Sequence, residues 1–178
     1  MSSKKIKKSK RKESNYIKYL VKFHENDNRG VLAHLRRGLQ YNPGDCMEMY
    51  PYVIPWIQNT QGKWNHDIHF MIASLFAFYP HIDGKGNFGD AFRAIQSEEP
   101  NNSSIESRFI GLIRSHKDDI FTHLRQAISL LKSRNVKFDW HQLYYDLKYW
   151  NTSKYPPYKR WANSFWKYRK SEEATQDN

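Results

Sequence analysis

Apolar residues along this chain recur at helical rather than strand spacing, and alternating β-branched runs bounded by turn residues are absent. The pattern predicts an all-α protein. A first helix is expected from Tyr16 to His24. A second is capped by Asp27 or Asn28 and buries Leu32, Leu35 and Leu39, which fall at i, i+3 and i+7, leaving Arg29 and Arg36 on its other side. After the Asn42-Pro43-Gly44 turn, the stretch from Cys46 to Ile57 reads as helix broken or offset by Pro51 and Pro55. The segment from Asn65 to Phe78 reads as an apolar helix stopped by Pro80, with Gly84, Gly86 and Gly89 marking a loop after it.

The second half is more regular. Ser103 and Glu106 have capping-box spacing and open a helix that turns Phe109, Leu112 and Ile113 inward, with Arg108 and Arg114 toward its flanks. From Asp118 to Ser133 the stripe Ile120, Leu124, Ala127, Ile128 and Leu131 defines another helix, with Arg125 and Lys132 on a different face. Asp139 caps a helix running through Trp150. Pro156-Pro157 suits the first turn of a last helix, in which Trp161 and Phe165 pack inward and Lys159, Arg160, Lys167 and Lys170 lie outward.

A chain of 178 residues suits one domain, or two small helical lobes sharing a core, and needs no disulfide or structural metal. The single cysteine, Cys46, excludes an internal disulfide and fits a reducing cytoplasm. No apolar signal segment follows the basic N-terminus. The longest apolar run, Phe70 to Tyr79, falls short of the roughly 18 residues of a membrane span, so no membrane partner is expected. Charge adds more. Formal net charge is +11, and clustered Lys and Arg gain free energy by displacing counterions from a phosphate backbone, which points to nucleic acid. Seven of these bases fall in Met1 to Lys12 with no acid among them, a segment too polar to bury a face and read as a disordered tail. The polar stretch from Ser171 to Asn178 reads the same way.

Candidate chemistry thins out on inspection. Asp67 with Asp83-Gly84-Lys85 has the spacing of a D…DxK metal nuclease, but Asp83 and Lys85 sit in a Gly-rich turn with no strand to hold them. His66 and His69 at i, i+3 have no further ligand at useful spacing and read as surface histidines. Asp118-Asp119 reads as helix capping, no glycine loop carries a P-loop lysine, and Cys46 has no basic neighbour in sequence. No catalytic residue, metal or cofactor is assigned. Most aromatics fit core stripes, while Tyr155, Tyr158 and Tyr168, beside Lys and Arg, are candidates for base stacking. The competing classes are a free-standing helical repressor, for which no helix-turn-helix spacing stands out, and the nuclease.

From Gly30 to Trp166 the chain resembles the CasB small-subunit family of type I-E CRISPR Cascade complexes. The resemblance is carried by Gly30 to Leu39 (GVLAHLRRGL), Met49 to Ile57 (MYPYVIPWI), Met71 to Pro80 (MIASLFAFYP), Glu106 to Ser115 (ESRFIGLIRS), Leu124-Arg125, Phe138 to Asn151 (FDWHQLYYDLKYWN) and Lys159 to Trp166 (KRWANSFW). It implies a helical bundle of about eight or nine helices in two packed lobes, which divide here as 14–100 and 101–170 between tails at 1–13 and 171–178. It further implies a non-catalytic subunit, present as two copies beside other Cascade subunits, that contacts CRISPR guide RNA and target DNA and helps hold the R-loop open. The family's basic surface carries over onto Arg36, Arg37, Arg108, Arg114, Arg125, Lys159 and Arg160. The Gly89 to Arg93 spacing, the Pro156-Pro157 linker and the Lys-rich tail depart from the family pattern.

Overall fold

The computed structural model describes residues 13–151, 154 and 156–167. Among the described residues the secondary structure is helical, without a strand. The helices are α1 (Asn15–Glu25), α2 (Arg29–Arg37), α3 (Tyr50–Ile57), α4 (Lys63–Phe78), α5 (Phe88–Glu98), α6 (Ser103–Arg114), α7 (Ile120–Ser133), α8 (Trp140–Lys148) and α9 (Pro157–Trp166). The expected tail at 1–13 apart from Glu13, the expected tail at 171–178, and Tyr155, Tyr168 and Lys170 lie outside the described residues; Glu13 is placed, its carboxylate accepting from Lys18 Nζ at 2.6 Å.

Most helix starts follow from local chemistry. Asn28 accepts a hydrogen bond from Val31 N–H at 3.4 Å to open α2, and Asp139 accepts from His141 and Gln142 N–H at 2.9 and 3.2 Å to open α8. A 3-10 turn at Met47–Met49 leads into α3, with Pro51 in its first turn, where no intrahelical N–H is required, and Pro55 inside it. α4 is buried on all sides from Ile68 to Ala77 and packs against α2, α3, α7 and α8. Buried residues of all nine helices form one apolar cluster around it. α5, α6, α7 and α9 pack on one another, so α5 belongs by its contacts with the C-terminal helices.

Four expectations change. The Gly-marked loop is short, because Asn87 and Asp90 form a reciprocal capping box that starts α5 at Phe88. Gly89 is therefore helical, and a Cβ there would lie 1.9 Å from the Trp161 carbonyl oxygen, so its missing side chain lets α5 and α9 approach closely. Ser103 does not cap α6: Asn102 does, accepting from Ser104 N–H at 3.1 Å, while Glu106 accepts from Trp166 Nε1 at 2.9 Å. Asp119, at the start of α7, makes no capping hydrogen bond with its side chain. His69 is not a surface residue; it is buried beside Tyr16 and Tyr144.

Candidate nucleic-acid interface

α7 turns Ile120, Leu124, Ala127, Ile128 and Leu131 into the core, and the residues between them, Arg125, Gln126, Ser129, Lys132 and Ser133, are exposed. An open groove of about 470 Å³ crosses this face. Arg108 of α6 joins Arg125, Gln126, Ser129 and Ser133 along it, and Leu39, Phe78 and Leu130 supply its apolar part. No acidic side chain is among these lining residues.

Main-chain oxygens in and beside the groove hold three cations. Arg36 Nε donates to Ala77 O at 3.0 Å, Lys132 Nζ to Phe78 O at 2.8 Å, and Arg125 Nη1 to Leu39 O at 2.6 Å. Ala77 and Phe78 end α4, where the last carbonyls have no intrahelical donor and carry the negative pole of the helix dipole. Lys132 Nζ also lies 4.2 Å from the centroid of the Phe78 ring. The fold thus gathers Arg36, Arg108, Arg125 and Lys132, from α2, α6 and α7, around Leu39 and Phe78. A guanidinium anchored through one N–H keeps others for a ligand, because arginine has five donors.

The remaining sequence candidates lie apart from this groove. Arg37 pairs with Glu48 at 3.3 Å on the exposed surface. Arg114 and Lys159 are exposed, and like Arg108 they make no side-chain hydrogen bond or ion pair among the described residues. Arg160 has a structural partner: its Nη2 lies 2.5 Å from Asp146 Oδ1. Asp146 is 1 % exposed and also accepts from Gln142 Nε2 at 2.7 Å and Trp161 Nε1 at 2.6 Å. Burial raises its pKa against the pull of those donors. Tyr158 is half-buried, its ring 5.7 Å from that of Trp150. Ser129 and Gln126 line the groove, and Lys132 sits on its Phe78 edge, without having been singled out as site residues. Arg125, Ser129 and Lys132 fall at i, i+4 and i+7, the spacing of one helix face, so periodicity alone carries that signal.

The groups considered for catalysis have other partners. Lys63 Nζ donates to Asp67 at 2.7 Å, and Lys137 Nζ, not Lys85, donates to Asp83 at 2.8 Å. His69 Nδ1 lies 2.7 Å from Asn65 O and its Nε2 3.2 Å from Tyr144 Oη; burial lowers its pKa. Burial and Glu48 raise the pKa of the Cys46 thiol, the opposite of what a nucleophile needs. No group of three or more His, Cys, Asp or Glu among the described residues is placed to hold a metal ion, and no helix among them is long and apolar enough to cross a membrane.

Residues 31–166 match the family model for the CRISPR-associated protein Cse2. A CRISPR-associated protein Cse2 from Thermus thermophilus is 30 % identical over 145 residues, covering 79 % of this chain and 81 % of the relative. The crystal structure of CasB from Thermus thermophilus superposes with a TM-score of 0.71 at 25 % identity, covering 86 % of this chain and 99 % of that one. A chain of a CRISPR RNA-guided surveillance complex shares the fold, with a TM-score of 0.74 at 21 % identity over 91 % of this chain and 95 % of its own length.

Proposed function

This chain belongs to the CRISPR-associated Cse2 family, and from that premise we propose that it is the non-catalytic small subunit of a cytoplasmic type I-E Cascade effector, stabilising the R-loop through phosphate contacts. The observation that carries this reading is the groove over α7, lined by Arg108 of α6 and Arg125 of α7 without an acidic side chain among the lining residues, with Arg36 of α2 held on the Ala77 carbonyl next to the groove residue Phe78. Its partners are guide RNA, the target DNA strands, the other Cascade subunits and a second copy of itself. The shared fold with a chain of an RNA-guided surveillance complex supports that assembly.

Mechanistically, guide pairing reads sequence, and the small subunit contributes charge. In RNA-guided effectors an RNA–DNA heteroduplex is about as stable as the DNA duplex it replaces, so a few phosphate contacts suffice to tip the exchange. Such contacts need preformed cations, not reactive groups. Anchoring Arg36, Arg125 and Lys132 on main-chain oxygens supplies them with less side-chain freedom left to lose on binding.

The test replaces Arg108, Arg114 and Lys159, which have no side-chain partner among the described residues, by alanine. The variant is expected to fold, enter the complex and leave guide RNA bound. Its affinity for target duplex and its protection of the displaced strand in footprinting are expected to fall. Parental affinity and parental footprints in a fully incorporated variant refute the assignment.

A further inference from the structure

Beside the α7 groove lies a second depression of about 360 Å³, and the two share Leu39 and Arg125. Their chemistry differs. The depression is lined by two aromatic rings, Tyr41 and Phe121, together with Gln40, Asn42 and the Asp45 carboxylate. The groove presents the guanidinium of Arg108 and the hydroxyls of Ser129 and Ser133. Tyr41 is 47 % exposed, one of three exposed aromatics among the described residues, with Tyr50 and Tyr149. Its position is nevertheless fixed: it ends the 3-10 turn Gly38–Gln40, with its N–H donating to Gly38 O at 3.2 Å. The loop after it is tied by Asn42 Nδ2 to Asp45 Oδ2 at 3.2 Å and by Tyr50 Oη to Gly44 O at 2.9 Å.

We propose that the depression and groove together form a subsite for one unstacked nucleotide of a single strand, its base against Tyr41 and its phosphate between Arg125 and Arg108. The inference rests on the nucleic-acid reading above and adds a base-dependent contact to it. A few hundred Å³ is the size of a small-ligand cleft, and here two aromatic rings stand among mostly polar neighbours. Flat rings bind the π-face of any base, and the neighbouring amides and carboxylate can pair with base edges without demanding one sequence. Guanidinium groups and hydroxyls match phosphate oxygens by charge and hydrogen bonding. Arg125 lines both halves, held by its 2.6 Å bond to Leu39 O, so it sits where base and phosphate join.

The test compares the full chain with Tyr41→Ala and Tyr41→Phe for binding to a fluorescent single-stranded oligothymidylate and to an abasic deoxyribose-phosphate strand of the same length, at one salt concentration. The Tyr41 side chain is exposed and makes no hydrogen bond among the described residues, so both variants are expected to unfold at the parental temperature. The parent is expected to prefer the base-bearing strand by about five- to a hundredfold, the range for loss of one base–aromatic contact. Tyr41→Ala removes that preference and leaves abasic binding unchanged, whereas Tyr41→Phe keeps both. Equal parental affinity for the two strands, or an equal loss on both in Tyr41→Ala, overturns the subsite while the phosphate reading stands. If the parent binds neither strand, or Arg108→Ala leaves abasic binding unchanged, the phosphate reading fails and the subsite with it.

Discussion

His81 is buried with two main-chain carbonyls converging on its ring: Nδ1 lies 2.9 Å from Tyr79 O and Nε2 2.9 Å from Phe138 O. A neutral imidazole can donate to only one of them, accepting at its other nitrogen from Phe138 N–H or Trp140 Nε1, at 3.3 and 3.4 Å. Burial lowers the pKa of His81, as it does that of His69, below the ordinary 6.5. The unfolded chain therefore binds protons on both rings, as pH falls below about 6.5, before the folded chain does, and stability must fall with acid. Asp146 acts in the opposite sense. Its folded pKa is raised above 3.8, so its contribution is full below that value and is lost as pH rises through the folded pKa. Urea midpoints at pH 7.5 and 5.5 separate these effects: the parent is expected to lose stability at the lower pH, and His81→Gln to lose less. An unchanged difference in the variant refutes the role of His81.

At the scale of elements, α8 and α9 are joined by a buried carboxylate rather than by apolar contact alone. Asp146 on α8 accepts from Trp161 Nε1 and Arg160 Nη2 on α9. Because a buried carboxylate is costly without its partners, Arg160→Ala is expected to cost about 1 to 3 kcal/mol, the penalty of an under-satisfied buried polar group. Trp161 and Gln142 remain as donors, which keeps the loss below the roughly 3 to 5 kcal/mol of leaving a buried charge without compensation. Lys159→Ala, one position earlier and solvent-exposed, is expected to stay within about 0.5 kcal/mol of neutral. Equal denaturation midpoints for the two variants refute this ranking. For the same reason a loss of target binding in Arg160→Ala cannot be read as a lost phosphate contact unless the fold is checked beside it.

The whole molecule carries a net charge of +11, and its effect is collective. The isolated chain is expected to bind single-stranded nucleic acid weakly and without strong sequence preference, with affinity falling steeply as salt rises. Arg108→Ala should make the slope of log K against log salt shallower by roughly one, the signature of a single lost phosphate contact. Tight binding to one sequence that survives high salt contradicts the reading. How far the sequence reaches can be seen on α7. Its buried stripe and the solvent face bearing Arg125, Ser129 and Lys132 follow from a 3.6-residue period that any amphipathic helix imposes. The all-α class, most helix bounds and the family resemblance follow from similarly local signals. α5 did not, since Gly84, Gly86 and Gly89 read as loop until the Asn87–Asp90 capping box and the packing of Gly89 on α9 place the last of them in a helix. Neither did the division of labour among the cations. In sequence Arg36, Arg125 and Arg160 are equivalent basic positions on helix faces. Only the tertiary structure brings the end of α4 to the first, the Leu39 carbonyl to the second and the Asp146 carboxylate to the third, because the first two oxygens come from segments distant in the chain and the third from a neighbouring helix. A period reports which way a side chain points; what it meets there depends on how the helices cross.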